Sequence, residues 1–136
     1  MPETTPERPG TMHLVDALQY RLPVAGIVSI LHRASGLILF LLLPFIVWMF
    51  DTSVTDEITF ERFAALFAGP AGIVAKIVCL GLIWGFLHHL AAGLRHLWMD
   101  ATHSVSKEQG RSSAIATLVV SLVLTVLLGA KLFGAF

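Results

Sequence analysis

From Ser112 to Ala130 the chain carries no charged side chain, and from Ala34 to Phe50 it again carries none. A helix crossing the hydrocarbon core of a bilayer needs about 20 mostly apolar residues, and these stretches supply that length with their apolar flanks. A third begins at Ile73 and continues to His96. Its charges are confined to Lys76 near one end and Arg95 near the other, with His88 and His89 between them. A soluble core built from 136 residues has no room to bury three such segments. Hydrophobic residues make up 56% of the chain and charged ones 13%, against roughly 25% charged in an ordinary soluble domain. A disordered chain lacks this apolar content. The expected fold class is an all-α integral membrane protein with three transmembrane helices.

The spans are expected over 28–50, 73–96 and 113–133, as one three-helix anchor over 28–136 behind an N-terminal arm over 1–27. Residues 1–10 are polar and Pro-rich, and no apolar run starts before Leu22, which does not fit a cleaved signal peptide. Pro23 suits the start of a helix, and Gly69-Pro70 marks the turn into the second span. Between the first two spans, Phe60, Phe63, Leu66 and Phe67 recur at helical spacing among acids, the pattern of a short helix lying at the membrane interface.

The Lys/Arg bias of short loops sets orientation. With the N-terminus cytoplasmic, Arg8, Arg21, Arg33, Arg95, Lys107 and Arg111 flank the inner side, against Arg62, Lys76 and Lys131 outside. That balance places the C-terminus on the periplasmic side. Lys plus Arg equals Asp plus Glu at 9 each, so no basic surplus points to nucleic acid. The single cysteine, Cys79, excludes an internal disulfide and a Cys-rich zinc site.

The third span reads as a packing helix, with Thr117, Ser121 and Thr125 able to bond back to their own backbone. The first two spans differ. Ser29, His32 and Arg33 sit near the inner end of one, and His88, His89, Arg95, His96 and Asp100 near the inner end of the other. An ionisable residue within a span is unfavourable by roughly 2.5–3.5 kcal/mol on insertion scales and points to function. Snorkelling to the interface is the plainer account for Arg95, at a helix end, and a weaker one for Arg33, which apolar residues flank. A lone histidine is usually a hydrogen-bonded interior group; four at one level of a small bundle are not so explained.

Spacing arranges these residues. His89 and His96 lie seven apart on one face, with Gly93 between them leaving room for a flat, bulky group, and His88 points about 100° away from His89. Ser29 and Arg33, four apart, share a face that His32 borders. A neutral imidazole is the usual axial ligand of a haem in a helical bundle, and propionates attract Arg or protonated His. A serine beside an arginine can hydrogen-bond a carbonyl oxygen, as a quinone headgroup requires. No HExxH or carboxylate–histidine cluster supports metal hydrolysis, and nothing positions Ser29, His32 and Asp100 for acyl transfer.

Ser29-Ile30-Leu31-His32-Arg33-Ala34-Ser35-Gly36 resembles the S-I-x-H-R-x-[ST]-G signature of cytochrome b membrane-anchor subunits of succinate dehydrogenase, respiratory complex II. The run from His89 through Gly93, Arg95, His96 and Leu97 to Asp100 is similar to that family's H-x-x-x-G-x-R-H-[LM]-x-x-D element. Arg8-Pro9, His13-Leu14 and Tyr20-Arg21 loosely resemble its N-terminal arm. Thr11-Met12 stand where that arm often carries Ser-Pro, so His13 receives no role.

The resemblance implies one member of a multi-subunit helical bundle in a bacterial inner membrane, with no dehydrogenase activity of its own. It implies His89 as the haem b axial ligand, hence as the iron-binding residue. The haem would be shared with a second small anchor subunit. It implies His32, Arg33, Arg95 and His96 around the haem propionates, and Ser29 and Arg33 at the site of ubiquinone, the substrate. An iron–sulfur subunit and a flavoprotein subunit would dock on the anchor and pass it electrons from succinate. His88 has no fixed family role but adjoins the proposed ligand and could stand in for it. Trp98 falls at a variable position and reads as an interfacial aromatic. Three other readings stay open: the anchor of a quinol:fumarate reductase, a small transporter using His and Arg as a proton path, and a structural anchor without haem. The transporter reading predicts polar residues spread through both leaflets, whereas these cluster in one.

Overall fold

The computed structural model describes Val15 and residues 20–135. Among the described residues there are five helices: α1 (Val24–Leu41), α2 (Leu43–Val54), α3 (Glu57–Ala65), α4 (Gly69–Thr102) and α5 (Lys107–Leu132). The fold is all-α, and three of the helices, α1, α4 and α5, are long and apolar enough to cross a membrane. Most of the N-terminal arm, His13 included, lies outside the described residues.

The first apolar stretch is not one helix over 28–50. It starts at Val24, where the Pro23 carbonyl accepts from the amides of Gly26 and Ile27 at 2.8 and 3.1 Å. It breaks at Leu42, because Pro44 has no N–H to give to Phe40 and its ring crowds that carbonyl. The helix therefore restarts as α2, whose Thr52, Ser53 and Thr55 hydroxyls donate to backbone carbonyls of the preceding turn. Asp56 then caps α3, accepting from the Thr59 amide at 2.8 Å. At the turn into α4, a Cβ on Gly72 would lie 2.3 Å from the Phe67 carbonyl group, so only glycine permits that close approach.

α4 extends past 73–96 at both ends, and α5 starts six residues before 113 and ends at Leu132, one short of 133. α4, with 34 residues, is about 51 Å long at 1.5 Å per residue, so it outruns a hydrocarbon core of about 30 Å. It ends at His103 in the left-handed conformation, φ 53°. Ser106 and Gln109 open α5 with reciprocal side-chain-to-backbone bonds at 3.2 and 3.3 Å.

Packing follows side-chain size. α4 is central, lying against both α1 and α5. Val28, Ala92 and Ala114, one from each long helix, are fully buried where the three meet. The buried face of α5 is Ala114, Thr117, Ser121, Thr125 and Gly129, while Val119, Leu122, Val123 and Val126 point outward. Small residues in the seam let helices approach closely where lipid supplies no hydrophobic drive. The Thr117, Ser121 and Thr125 hydroxyls donate to the carbonyls of Ser113, Leu118 and Ser121, so the polar seam is satisfied within its own helix.

Candidate functional site

α1 and α4 frame a groove of about 550 Å³. Ser29, His32 and Arg33 enter it from α1, and His89, Gly93 and His96 from α4, with Leu90, Leu94 and Leu97 completing the wall. The four-residue and seven-residue spacings explain why each helix presents its set on one side. The His32 ring stacks on His89 with centroids 4.3 Å apart and planes at 27°. His96 lies 5.3 Å from His32, tilted by 38°.

Neighbouring groups set the proton of His89. Its Nδ1 lies 3.1 Å from the His32 carbonyl oxygen, which can only accept, so Nδ1 carries the hydrogen. The buried Ser35 hydroxyl donates to the same carbonyl at 3.0 Å and lies 3.3 Å from Nδ1. In the neutral ring Nε2 then carries the lone pair, with no hydrogen-bond partner among the described residues. Gly36 makes the approach possible: a Cβ there would sit 2.7 Å from His89 Cε1. Gly93 is less constrained, since a Cβ would meet His32 Nε2 at an ordinary 3.7 Å.

The stacked rings present faces to one another, not nitrogens to a common point. Among the described residues no three His, Cys, Asp or Glu side chains converge as a metal site. The groove can offer His89 Nε2, the His32 and His96 rings, a hydroxyl and an exposed guanidinium to a bound group.

Three residues grouped with these in the sequence lie elsewhere. His88 is fully buried, stacked on Trp84 with centroids 5.3 Å apart and its Nδ1 3.5 Å from Ser121 Oγ. It faces the α4–α5 seam and lines no part of the groove. Arg95 turns the same way, donating from Nε to Ser113 Oγ at 3.0 Å and from Nη2 to the Gly110 carbonyl at 3.1 Å. Asp100 is exposed on the last turns of α4 and lines no part of the groove. Sequence reasoning gave no separate role to Ser35 or Gly36. The signal available was their smallness in an apolar helix, three and four residues beyond His32 on one face.

Comparison with known proteins covers the whole of this groove. The profile of the succinate dehydrogenase/fumarate reductase transmembrane subunit family matches residues 4–128. The chain belongs to that family. A protein of Paracoccus denitrificans named succinate dehydrogenase cytochrome b556 subunit is 36% identical over 108 residues, covering 79% of this chain and 81% of that protein. A Coxiella burnetii protein of the same name is 33% identical over 115 residues, with 85% and 90% covered. One from Rickettsia felis is 29% identical over 122 residues, with 90% of each chain covered. As a member of this family the chain is a multi-pass transmembrane subunit, and its long apolar helices are the spans.

Proposed function

We propose that this chain is the cytochrome b anchor of a succinate dehydrogenase, holding a haem b through His89 and forming part of a ubiquinone site with Ser29 and Arg33. The hydrogen bonding of His89 carries this reading. Metal-ligating histidines commonly donate their other ring N–H to a backbone carbonyl, which orients the ring and raises its basicity. His89 has that arrangement, with Nδ1 on the His32 carbonyl and Nε2 free. A haem shared between two subunits needs one nitrogen from each, which suits a groove whose histidines do not converge on an ion. When bound, haem supplies one-electron redox chemistry. Arg33 and the ring N–H groups of His32 and His96 line the same groove and fit its propionates. The expectation for Arg95 requires it to leave Ser113 and Gly110, so the reading relies on the three residues in the groove.

Reduction of ubiquinone to ubiquinol takes up two electrons and two protons. Succinate oxidised on the flavoprotein subunit supplies the electrons, which an iron–sulfur subunit delivers. Ser29 donates a hydrogen bond to a quinone carbonyl oxygen. The Arg33 guanidinium, one turn along α1, favours negative charge as it develops there. Protons come from the aqueous side that the groove adjoins, so no net charge crosses the membrane. That side is cytoplasmic when the N-terminus is inside, as the Lys/Arg bias favours. A second small anchor would supply the other residue that holds the haem. The anchor of a quinol:fumarate reductase is the same architecture run in reverse, and the family's description includes it.

The test is a dithionite-reduced minus air-oxidised visible spectrum of the detergent-extracted complex, with His89→Ala and His88→Ala made in parallel. Sharp b-type bands are expected in the parent and in His88→Ala and not in His89→Ala. Unchanged bands in His89→Ala overturn the ligand assignment. No bands in the parent, with flavin and clusters present, leave a haem-free anchor. Ser29→Ala is expected to raise KM for quinone while succinate oxidation by a soluble dye is unaffected.

A further inference from the structure

Among the described residues, Arg95 is a buried cation with uncharged partners. Only 9% of it is exposed, and its two hydrogen bonds go to a hydroxyl and a peptide carbonyl. A guanidinium has five N–H donors, so both hydrogens of Nη1 and one of Nη2 are left over. Buried and without a counter-charge among the described residues, this guanidinium suits an anionic ligand.

The guanidinium stands on the wall of a second cavity, about 670 Å³, between the last third of α4 and the first half of α5. Leu94, Trp98 and Val120, 57%, 51% and 50% exposed, open one part of it toward the hydrocarbon. Toward the α4–α5 turn the wall becomes polar, with Gln109 and Ser112. Gln109 Oε1 already accepts from the Ser106 amide, so its own NH₂ is free to donate. A cation and an amide donor thus stand at the mouth of an apolar slot. Basic pockets between transmembrane helices are where anionic lipid headgroups bind.

We propose that this cavity binds one anionic phospholipid from the leaflet that contains the α4–α5 turn. Its phosphate pairs with Arg95 and the Gln109 amide, and an acyl chain lies along Leu94, Ala116 and Val120. A phosphate oxygen only accepts, which matches the donors left over, and a net negative headgroup neutralises the buried charge. The bound lipid ties α4 to α5 on the side of α4 away from His32.

The test uses the intact complex in mild detergent, washed free of loose lipid. Native mass spectrometry counts retained phospholipid, and thermal denaturation follows addition of phosphatidylglycerol, phosphatidylcholine or inorganic phosphate. Arg95→Gln removes the charge; Ala116→Phe fills the slot and leaves the guanidinium in place. One retained phospholipid is expected in the parent, with a larger rise in Tm from phosphatidylglycerol than from phosphatidylcholine and none from inorganic phosphate. Both variants are expected to lose retention and the rise, with the b-type spectrum unchanged in Ala116→Phe. Equal retention in parent and Ala116→Phe overturns the proposal, and decides it even if Arg95→Gln does not assemble. So does protection by inorganic phosphate equal to that by lipid. So does Arg95→Gln keeping its lipid while the haem potential shifts or the iron–sulfur subunit is shed, since the counter-charge is then a propionate or a docked carboxylate.

Discussion

Gly36→Ala is the most direct challenge to the reading of His89. The added methyl would lie 2.7 Å from Cε1 and 3.2 Å from Nδ1 of that ring, where ordinary contact begins at 3.4 Å. The ring must give way by about 0.7 Å, the shortfall at Cε1. A shift of that size along the Nδ1–carbonyl line takes the 3.1 Å bond beyond hydrogen-bonding distance. Overpacking of this kind is unfavourable by about 1–3 kcal/mol, and the lost bond by about 1 kcal/mol more. Losing an outer-shell partner typically lowers metal affinity about 10- to 100-fold. The assay is haem content per complex, from the reduced minus oxidised spectrum, with a redox titration of what remains. Gly26→Ala is the control on the same helix, because its Cβ meets only Pro23 and Leu22 atoms at 3.6 Å or more. Full haem content and an unchanged potential in Gly36→Ala, matching the control, would refute the claim that Gly36 positions the ligand.

His88→Ala empties a fully buried site between Trp84 and Ser121. It is expected to lower stability by about 2–4 kcal/mol, seen as a reduced Tm of the complex with haem bands retained. Asp56 accepts from the amide and hydroxyl of Thr59, which hold its carboxylate below the ordinary value of 3.8. A lowered folded pKa contributes stability that is present above the unfolded value and lost as pH falls through the folded one. Amide exchange over 57–60 is therefore expected to stay protected at neutral pH, to accelerate below about 3.8, and to be fast at every pH in Asp56→Ala. His103 occupies the left-handed region at φ 53°. His103→Gly is expected to relieve up to about 1 kcal/mol of backbone strain and raise Tm; a fall in Tm contradicts this.

Hydropathy made the three long spans legible, because lipid demands an apolar exterior whatever the internal packing. It could not place the break at Leu42. Pro44 is as apolar as its neighbours, and only its missing N–H divides the stretch. Pro23 and Gly69-Pro70 did mark where α1 and α4 begin, but the polar C-terminal end of α4 and the polar start of α5 were invisible to hydropathy, since a helix does not stop where the hydrocarbon does. In the site, spacing alone grouped Ser29 with Arg33 and His89 with His96, and the groove contains both pairs. Spacing also separated His88 from His89 by about 100°. Which of the two faces the groove depends on where α5 packs, a tertiary fact. Arg95 shows the same limit from the other side. Its sequence neighbours are the groove histidines, but Ser113 and Gly110 of α5 offer acceptors that no local pattern foretells.

The geometry of His89 also bears on what the chain can do alone, given the haem reading. His89 brings one free nitrogen to the groove. His32 and His96 are stacked or tilted beside it, and the His32 carbonyl orients His89. Turning either ring to serve as a second axial ligand means unstacking it, and for His32 it means moving the segment whose carbonyl holds His89. On the proposed reading, another chain would supply the second residue that holds the haem. Leu90, Leu94 and Leu97 leave the same side of α4 open, 47%, 57% and 66% exposed, where a partner helix could approach. Expressed without its partners, the chain is expected to show no low-spin, bis-histidine b-type spectrum. If the haem is shared as proposed, co-expression with a second small anchor is expected to restore it, and replacing the histidines of that partner one at a time identifies the other ligand. The same low-spin spectrum from this chain alone would mean that two of its own imidazoles can converge on the iron. The stacked arrangement of His32, His89 and His96 would then not be the one that meets the haem.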